Sequence, residues 1–191
     1  MKADVHAMEA LIERELGGQK RQDGSTNAMH ARRVRALTVE ALKLAGEMPP
    51  SGTDSIECAA LGHDLLEDSQ ITAAAIEELC GSEALVWIQS LTNTWGDSHA
   101  EPYVAQMTAA QEEARLIKYA DLTDNIFHAS FGIQGLGLKW MKEYFLPIVD
   151  PMREKMDTIP FSRYPGASRI LKMSSALARA HLEEYIRIYS A

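Results

Sequence analysis

Residues 58–68, Cys-Ala-Ala-Leu-Gly-His-Asp-Leu-Leu-Glu-Asp, are the segment that most constrains the fold. The first half is apolar on all sides, which is typical of a helix buried inside a protein. The second half adds polar groups: His63 and Glu67 are four residues apart, as are Asp64 and Asp68, so each pair shares a helix face. An imidazole and three carboxylates need partners or a metal ion when they are buried. We therefore predict an interior helix that carries an active site.

Length, charge and cysteine content exclude several classes of protein. The chain has 191 residues, enough for one domain with a substantial core, which we predict to span residues 1–191. No apolar run is long enough to cross a membrane, and the N-terminus lacks the apolar stretch of a secretory leader. Cys58 and Cys80 form no paired pattern, so we expect reduced thiols and a cytoplasmic protein. The net charge of −8 disfavours nucleic acid as a partner but not a small anionic substrate beside a metal.

The pattern of apolar residues, caps and breakers predicts an all-α protein, because no alternating β-branched run is present. The predicted helices cover 3–16, 27–45, 54–66, 72–80, 82–91, 109–129, 136–145, 148–157 and 167–188. A polar loop is expected at 17–26, and a long loop at 92–108, where Pro102 lies. Long loops that a small domain retains are often functional.

Three separate helices supply candidate metal ligands. His30 lies near the start of the second predicted helix, the pair His63-Asp64 lies in the third, and Asp121 lies in the sixth. Two imidazoles and two carboxylates suit Mn²⁺, Fe²⁺, Co²⁺ or Zn²⁺, and the residues alone do not choose among them. Two alternatives stay open: Asp121 pairs with Lys118 on one helix face, or Asp124 is the ligand in its place.

The same residues resemble a known family. The order histidine, histidine–aspartate, aspartate resembles the HD superfamily of metal-dependent phosphohydrolases. Residues 63–68 (HDLLED) resemble the HD-x-x-ED motif of the RelA/SpoT-type guanosine tetraphosphate (ppGpp) hydrolases, which include small stand-alone alarmone hydrolases. Residues 118–125 (KYADLTDN) resemble their K-x-A-D-x-x-x-N motif, and Arg21 matches the position of an arginine that packs on guanine. The resemblance covers about residues 5–130, the core of an HD-type helical bundle.

The resemblance implies a role for each matched residue. One divalent ion, Mn²⁺, would be held by His30, His63, Asp64 and Asp121. Glu67 and Asp68 would activate the attacking water, although the residues alone also allow solvated carboxylates at a helix end. Asn125 would bind the ribose or phosphate region of a small nucleotide, and Arg21 would stack on its base. The implied reaction releases pyrophosphate from the 3′ position of (p)ppGpp or a related nucleotide.

Two alternatives of function remain at this stage. One is a general HD nucleotidase or phosphodiesterase, and the other is a catalytically silent module that binds a nucleotide or a partner. The complete set of six polar residues favours an enzyme, since a silent relative has no physical need to keep them. The C-terminal helices, residues 131–191, either cover the core or form a homodimer interface.

Overall fold

The structure, a computed structural model, describes residues 3–94 and 100–190. Within these ranges every regular element is helical, which confirms the predicted all-α class. The helices are α1 (Val5–Leu16), α2 (Asn27–Ala45), α3 (Asp54–Gly62), α4 (Leu65–Asp68), α5 (Ala73–Leu91), α6 (Ala100–Ala109), α7 (Glu112–Trp140), a π-helical segment (Met141–Phe145), α8 (Leu146–Asp157) and α9 (Pro165–Ser190).

Helix α2, which carries His30, begins and ends where its sequence predicts. The Thr26 side chain accepts a hydrogen bond from the backbone N–H of Met29 (3.2 Å) and so caps the first turn. Gly46 ends the helix in the left-handed conformation (φ 69°), which glycine adopts without a steric penalty. These two caps fix the position of His30 one turn inside the helix.

Helix α3 occupies the centre of the bundle. It packs against α1, α2, α5 and α7, and residues 58–62 are buried. The small side chains of Cys58, Ala59 and Ala60 allow these neighbours to approach closely. The predicted interior helix is therefore confirmed, and the residues that follow it emerge beside α2 and α7.

The observed helices differ from the predicted ones in several places. The segments 72–80 and 82–91, predicted as two helices, form the single element α5, whose backbone leaves helical geometry at Gly81 (φ 77°). The third helix ends at Gly62, and a turn at His63 and Asp64 separates it from α4. The long loop expected at 92–108 is wrong for residues 100–108, which belong to α6, while residues 95–99 lie outside the described part of the chain. Helix α7 continues to Trp140, although the backbone leaves helical geometry at Gly137 (φ 83°).

The C-terminal helices cover the core. Helix α9 packs along α7 and α2, and α8 packs against α6 and the π-helical segment. One cluster of buried apolar side chains extends from Met8 on α1 to Leu182 on α9. Among the described helices, none combines the length and the hydropathy needed to cross a membrane.

Candidate metal and substrate site

Two buried histidines face each other at the centre of the site. His30 comes from the first turn of α2, and His63 follows the end of α3; their exposed fractions are 1% and 2%. Their Nε2 atoms are 3.2 Å apart. Since α2 and α3 pack side by side, the packing of the two helices brings these imidazoles together.

Two carboxylates complete the cluster. Asp64 reaches both rings, with Oδ2 at 3.6 Å from Nε2 of His30 and Oδ1 at 3.2 Å from Nε2 of His63. Asp121, on α7, places Oδ1 at 3.1 Å from Nε2 of His30 and 3.6 Å from Nε2 of His63. One potential ligand atom from each of His30, His63 and Asp64 lies within 4.8 Å of the other two. The structure therefore brings together all four residues that the sequence predicted as metal ligands.

In each imidazole, the hydrogen-bond partner of Nδ1 determines which of the two ring nitrogens carries the proton. Nδ1 of His30 lies 2.7 Å from Oδ2 of Asp124, and Nδ1 of His63 lies 2.8 Å from the carbonyl oxygen of Ala60. Both acceptors lack a proton to donate, so each Nδ1 carries the hydrogen, and in a neutral ring Nε2 presents a bare lone pair. Two lone pairs and two carboxylates that converge this closely repel one another unless a cation lies between them. The donor set therefore fits a divalent metal ion.

The charges around the cluster are strongly coupled. Burial opposes protonation of His63, but the neighbouring Asp64, helped by Asp121, raises the pKa of the imidazole well above its usual value. Burial likewise opposes ionisation of Asp121, but Lys118 and the two imidazoles hold the pKa of this carboxyl well below its usual range. In the absence of a metal, a proton on His63 neutralises part of the negative charge.

Asp121 forms the ion pair with Lys118 that the sequence offered as an alternative to metal binding. Its Oδ2 accepts a hydrogen bond from Nζ of Lys118 (2.7 Å), while Oδ1 faces the histidines and accepts a hydrogen bond from Nδ2 of Asn125 (2.6 Å). The pair with Lys118 therefore coexists with a position in the cluster. Lys118 holds one oxygen of the carboxylate and leaves the other oriented toward the imidazoles.

Glu67 and Asp68 lie at the mouth of the site and are exposed, unlike the buried carboxylates that the helical pattern predicts. Oε1 of Glu67 accepts a hydrogen bond from the backbone N–H of Asn93 (2.6 Å), and Oδ2 of Asp68 accepts one from Nδ2 of Asn27 (3.1 Å). Although Glu67 is at the surface, dehydration of its carboxylate by surrounding protein atoms, together with Asp64, raises its pKa to about 7. Dehydration and Asp64 also raise the pKa of Asp68. Both carboxylates therefore sense the charge of the metal cluster, although they are exposed.

Arg21 and Asn125, both predicted to contact substrate, touch each other. Nη2 of Arg21 donates to Oδ1 of Asn125 (2.6 Å), and its Nη1 donates to Oδ1 of Asn27 (3.3 Å). Both residues line a cavity of about 310 Å³. The cavity is lined by Lys20, Arg21, Gln22, Asp23, Asn27, Asn125, His128, Ala129, Gly132, Trp140 and Phe145.

A second cavity of about 220 Å³ shares Asn125, Trp140 and Phe145 with the lining of the first. Its wall includes Tyr103 of α6 and Lys118 of α7, whose ammonium group lies 4.9 Å from the centre of the Tyr103 ring. From the sequence alone, no role was predicted for Trp140 or Tyr103. The clustering of aromatic residues at 140–145 was the available signal, but it did not indicate which surface they line.

These features define an all-α protein with a histidine–aspartate cluster whose ligand residue Asp121 is hydrogen-bonded to Asn125 and Lys118, which line the two cavities. Its fold is that of a solved metazoan ortholog of SpoT, which hydrolyses ppGpp and plays a role in starvation responses. The two chains are 16% identical, the match covers 98% of this chain and 96% of that chain, and the TM-score is 0.58. At this identity the likeness establishes the fold alone. No protein-family model and no curated protein sequence matches the chain.

Proposed function

We propose that this protein is a metal-dependent phosphohydrolase of the HD type that removes the 3′-pyrophosphate of ppGpp or of a related guanosine nucleotide. The observation that carries the proposal is the convergence of two imidazole Nε2 atoms and two carboxylates from three elements of the fold. The similarity to a solved protein that hydrolyses ppGpp supports the choice of substrate class.

The residues that would hold the cation, expected to be Mn²⁺, are His30, His63, Asp64 and Asp121. When bound, a divalent cation supplies Lewis acidity to a phosphoryl group and lowers the pKa of water. Lys118 and Asn125 keep the Asp121 carboxylate in place, so the ligand set is oriented before the cation arrives. Such preorganisation keeps the entropic cost of cation binding low.

We assign to Glu67 and Asp68 the orientation of the attacking water and the acceptance of its proton. A pKa of about 7 for Glu67 lies near neutral pH, where a general base combines a useful ionised fraction with proton affinity. The hydrogen bond from the backbone of Asn93 fixes one oxygen of Glu67. The other oxygen is the one we assign to the water.

The two neighbouring cavities, which share part of their lining, provide space for the nucleotide. Arg21 presents a planar guanidinium that can stack on a base, while Asn125 stands between the cavity and Asp121. Lys20 and Lys118 supply positive charge, one in each cavity. Trp140 and Phe145, whose ring centres are 5.4 Å apart, form an aromatic wall common to both.

The test is a Mn²⁺-dependent turnover screen against ppGpp, its pentaphosphate relative, NADPH, and nucleoside mono- and triphosphates. We expect release of pyrophosphate from ppGpp and its loss in the Asp64→Ala variant. Glu78→Ala is the matched control, since it removes an exposed carboxylate from α5 and should leave turnover unchanged.

Other outcomes of the screen would redirect the proposal. Release of phosphate from another nucleotide, with none from ppGpp, would retain the phosphohydrolase chemistry and change the substrate. Tight nucleotide binding without any turnover would contradict the proposal and support a nucleotide-binding regulatory module.

A further inference from the structure

We propose that Asp124, clamped by Arg33, is a positioning residue that sets the tautomer and orientation of His30 for metal binding. This inference rests on the proposed function, because it assumes that His30 is a metal ligand. It also assigns a role to a carboxylate that the sequence left as a rival of Asp121.

The three side chains form a chain of charge-assisted hydrogen bonds, in which His30 and Asp124 are buried and Arg33 is partly exposed. Oδ2 of Asp124 lies 2.7 Å from Nδ1 of His30, and Nε and Nη2 of Arg33 donate to Oδ1 and Oδ2 of Asp124 at 2.6 and 3.1 Å. Asp124 is 3% exposed and His30 is 1% exposed. Hydrogen bonds of this kind are roughly twice as strong as neutral ones.

The geometry argues against Asp124 as a metal ligand. It contacts the Nδ1 side of His30, whereas Asp121 contacts the Nε2 side. Both oxygens of Asp124 already accept hydrogen bonds from donors that face away from the cluster.

The clamp by Arg33 matters because a guanidinium can only donate hydrogen bonds. In an Asp124→Asn variant, the amide has one oxygen, and the charge of Arg33 attracts that oxygen toward the guanidinium. The amide NH₂ then faces Nδ1 of His30 and acts as a donor, so the imidazole proton moves to Nε2. A protonated Nε2 has no lone pair for a cation.

The first measurement is calorimetric titration of the metal-free protein with Mn²⁺ alone. We expect Asp124→Asn to weaken binding by about 10- to 100-fold, the range typical of carboxylates that support a metal-ligating histidine. Arg33→Met should weaken binding less, because Asp124 still accepts the proton of His30. Arg32→Met is the matched control: it removes the neighbouring guanidinium, which pairs with Glu9 and Glu13, and should leave the affinity unchanged.

The double variant Asp124→Asn/Arg33→Met separates positioning from general damage. Without the guanidinium, the amide oxygen is free to accept the Nδ1 proton of His30, so we expect tighter Mn²⁺ binding than in Asp124→Asn alone. A role limited to packing would make the double variant equal to or worse than the single one. That result, or wild-type affinity in a folded Asp124→Asn variant, would overturn the inference.

Long-range ¹H–¹⁵N spectra of the imidazoles in the metal-free protein give a second, independent readout. We expect the Nδ1–H tautomer of His30 in the wild type and the Nε2–H tautomer in Asp124→Asn; the same tautomer in both would refute the mechanism. A wild-type protein that binds no Mn²⁺ would overturn the proposed function together with this inference. Normal binding by the wild type and by every variant would overturn the inference alone.

Discussion

Replacing Gly132 by alanine should displace the aromatic wall of the substrate cavity. A Cβ atom at Gly132 would lie 2.5 Å from Cζ3 and 3.0 Å from Cη2 of the Trp140 ring, far inside van der Waals contact. The obstacle is a rigid indole, so relief requires the whole ring to move. Trp140 contacts Phe145 and lines both cavities, which means that its movement would change their shape.

Two opposing terms set the size of the effect on stability. Alanine in a helix interior gains about 1 kcal/mol over glycine, while overpacking of this kind costs about 1–3 kcal/mol. We therefore expect a net loss of up to about 2 kcal/mol and a decrease of about 2–4 °C in Tm for each kcal/mol lost. The metal cluster does not include Trp140, so Mn²⁺ affinity should stay unchanged while KM for the nucleotide rises.

Gly135→Ala is the matched control on the same helix. A Cβ atom there meets Oε1 of Gln22 at 2.8 Å, the far end of a flexible side chain that can rotate away. This variant should be as stable as the wild type or more stable, by about 0.5–1 kcal/mol. The assays are thermal unfolding and steady-state kinetics side by side. If Gly132→Ala keeps the wild-type Tm and KM, or if Gly135→Ala is the more damaging change, the assigned position of Trp140 is wrong.

Three further changes test other parts of the molecule. Glu67→Gln should keep Mn²⁺ affinity but lose most of kcat, since an amide cannot accept a proton from water; an unchanged kcat would remove Glu67 from the mechanism. The metal-free protein should lose stability as pH rises from about 5 to 8. The pKa of Glu67 is raised to about 7, and the pKa of His63 is raised well above its usual value. The folded state therefore binds more protons than the unfolded state over this range, and a rise in pH favours unfolding. Mn²⁺ affinity should increase over the same range, and calorimetry at several pH values would contradict this if it decreased. Glu47→Ala should destabilise the protein by about 1–2 kcal/mol, because Glu47 accepts hydrogen bonds from the N–H groups of Gly166 and Ala167 at the start of α9; chemical denaturation measures this loss.

The helices that carry the site were predictable where local signals agreed. Helix α2 has a capping threonine before it, a steady apolar stripe, and a glycine after it, and its predicted bounds match the observed ones. Helix α6 was missed because Pro102 was interpreted as a helix breaker. Pro102 lies in the first turn of α6. Backbone N–H groups in the first turn have no hydrogen-bond partner within the helix, so the N–H that proline lacks is not missed there.

The continuation of α7 beyond residue 129 was not predicted, for a different reason. Gly132, Gly135 and Gly137 weaken the helical signal, and only the packing of Trp140 against Gly132 shows why the chain turns where it does. That contact is tertiary, so a pattern of single residues could not reveal it. The same packing places Trp140 in the aromatic wall, which was not predicted from the sequence.

The contrast between Asp121 and Asp124 shows most directly what spacing cannot decide. The two carboxylates are three residues apart, share a helix face, and each reaches His30. Asp121 contacts Nε2 of His30 and belongs to the cluster. Asp124 contacts Nδ1 and controls which ring nitrogen carries the proton. The difference arises because α7 runs alongside α2, so that one turn of α7 passes from one edge of the imidazole to the other. A residue change at either position would lower metal affinity, but only the loss caused by Asp124→Asn should be partly restored by removing Arg33.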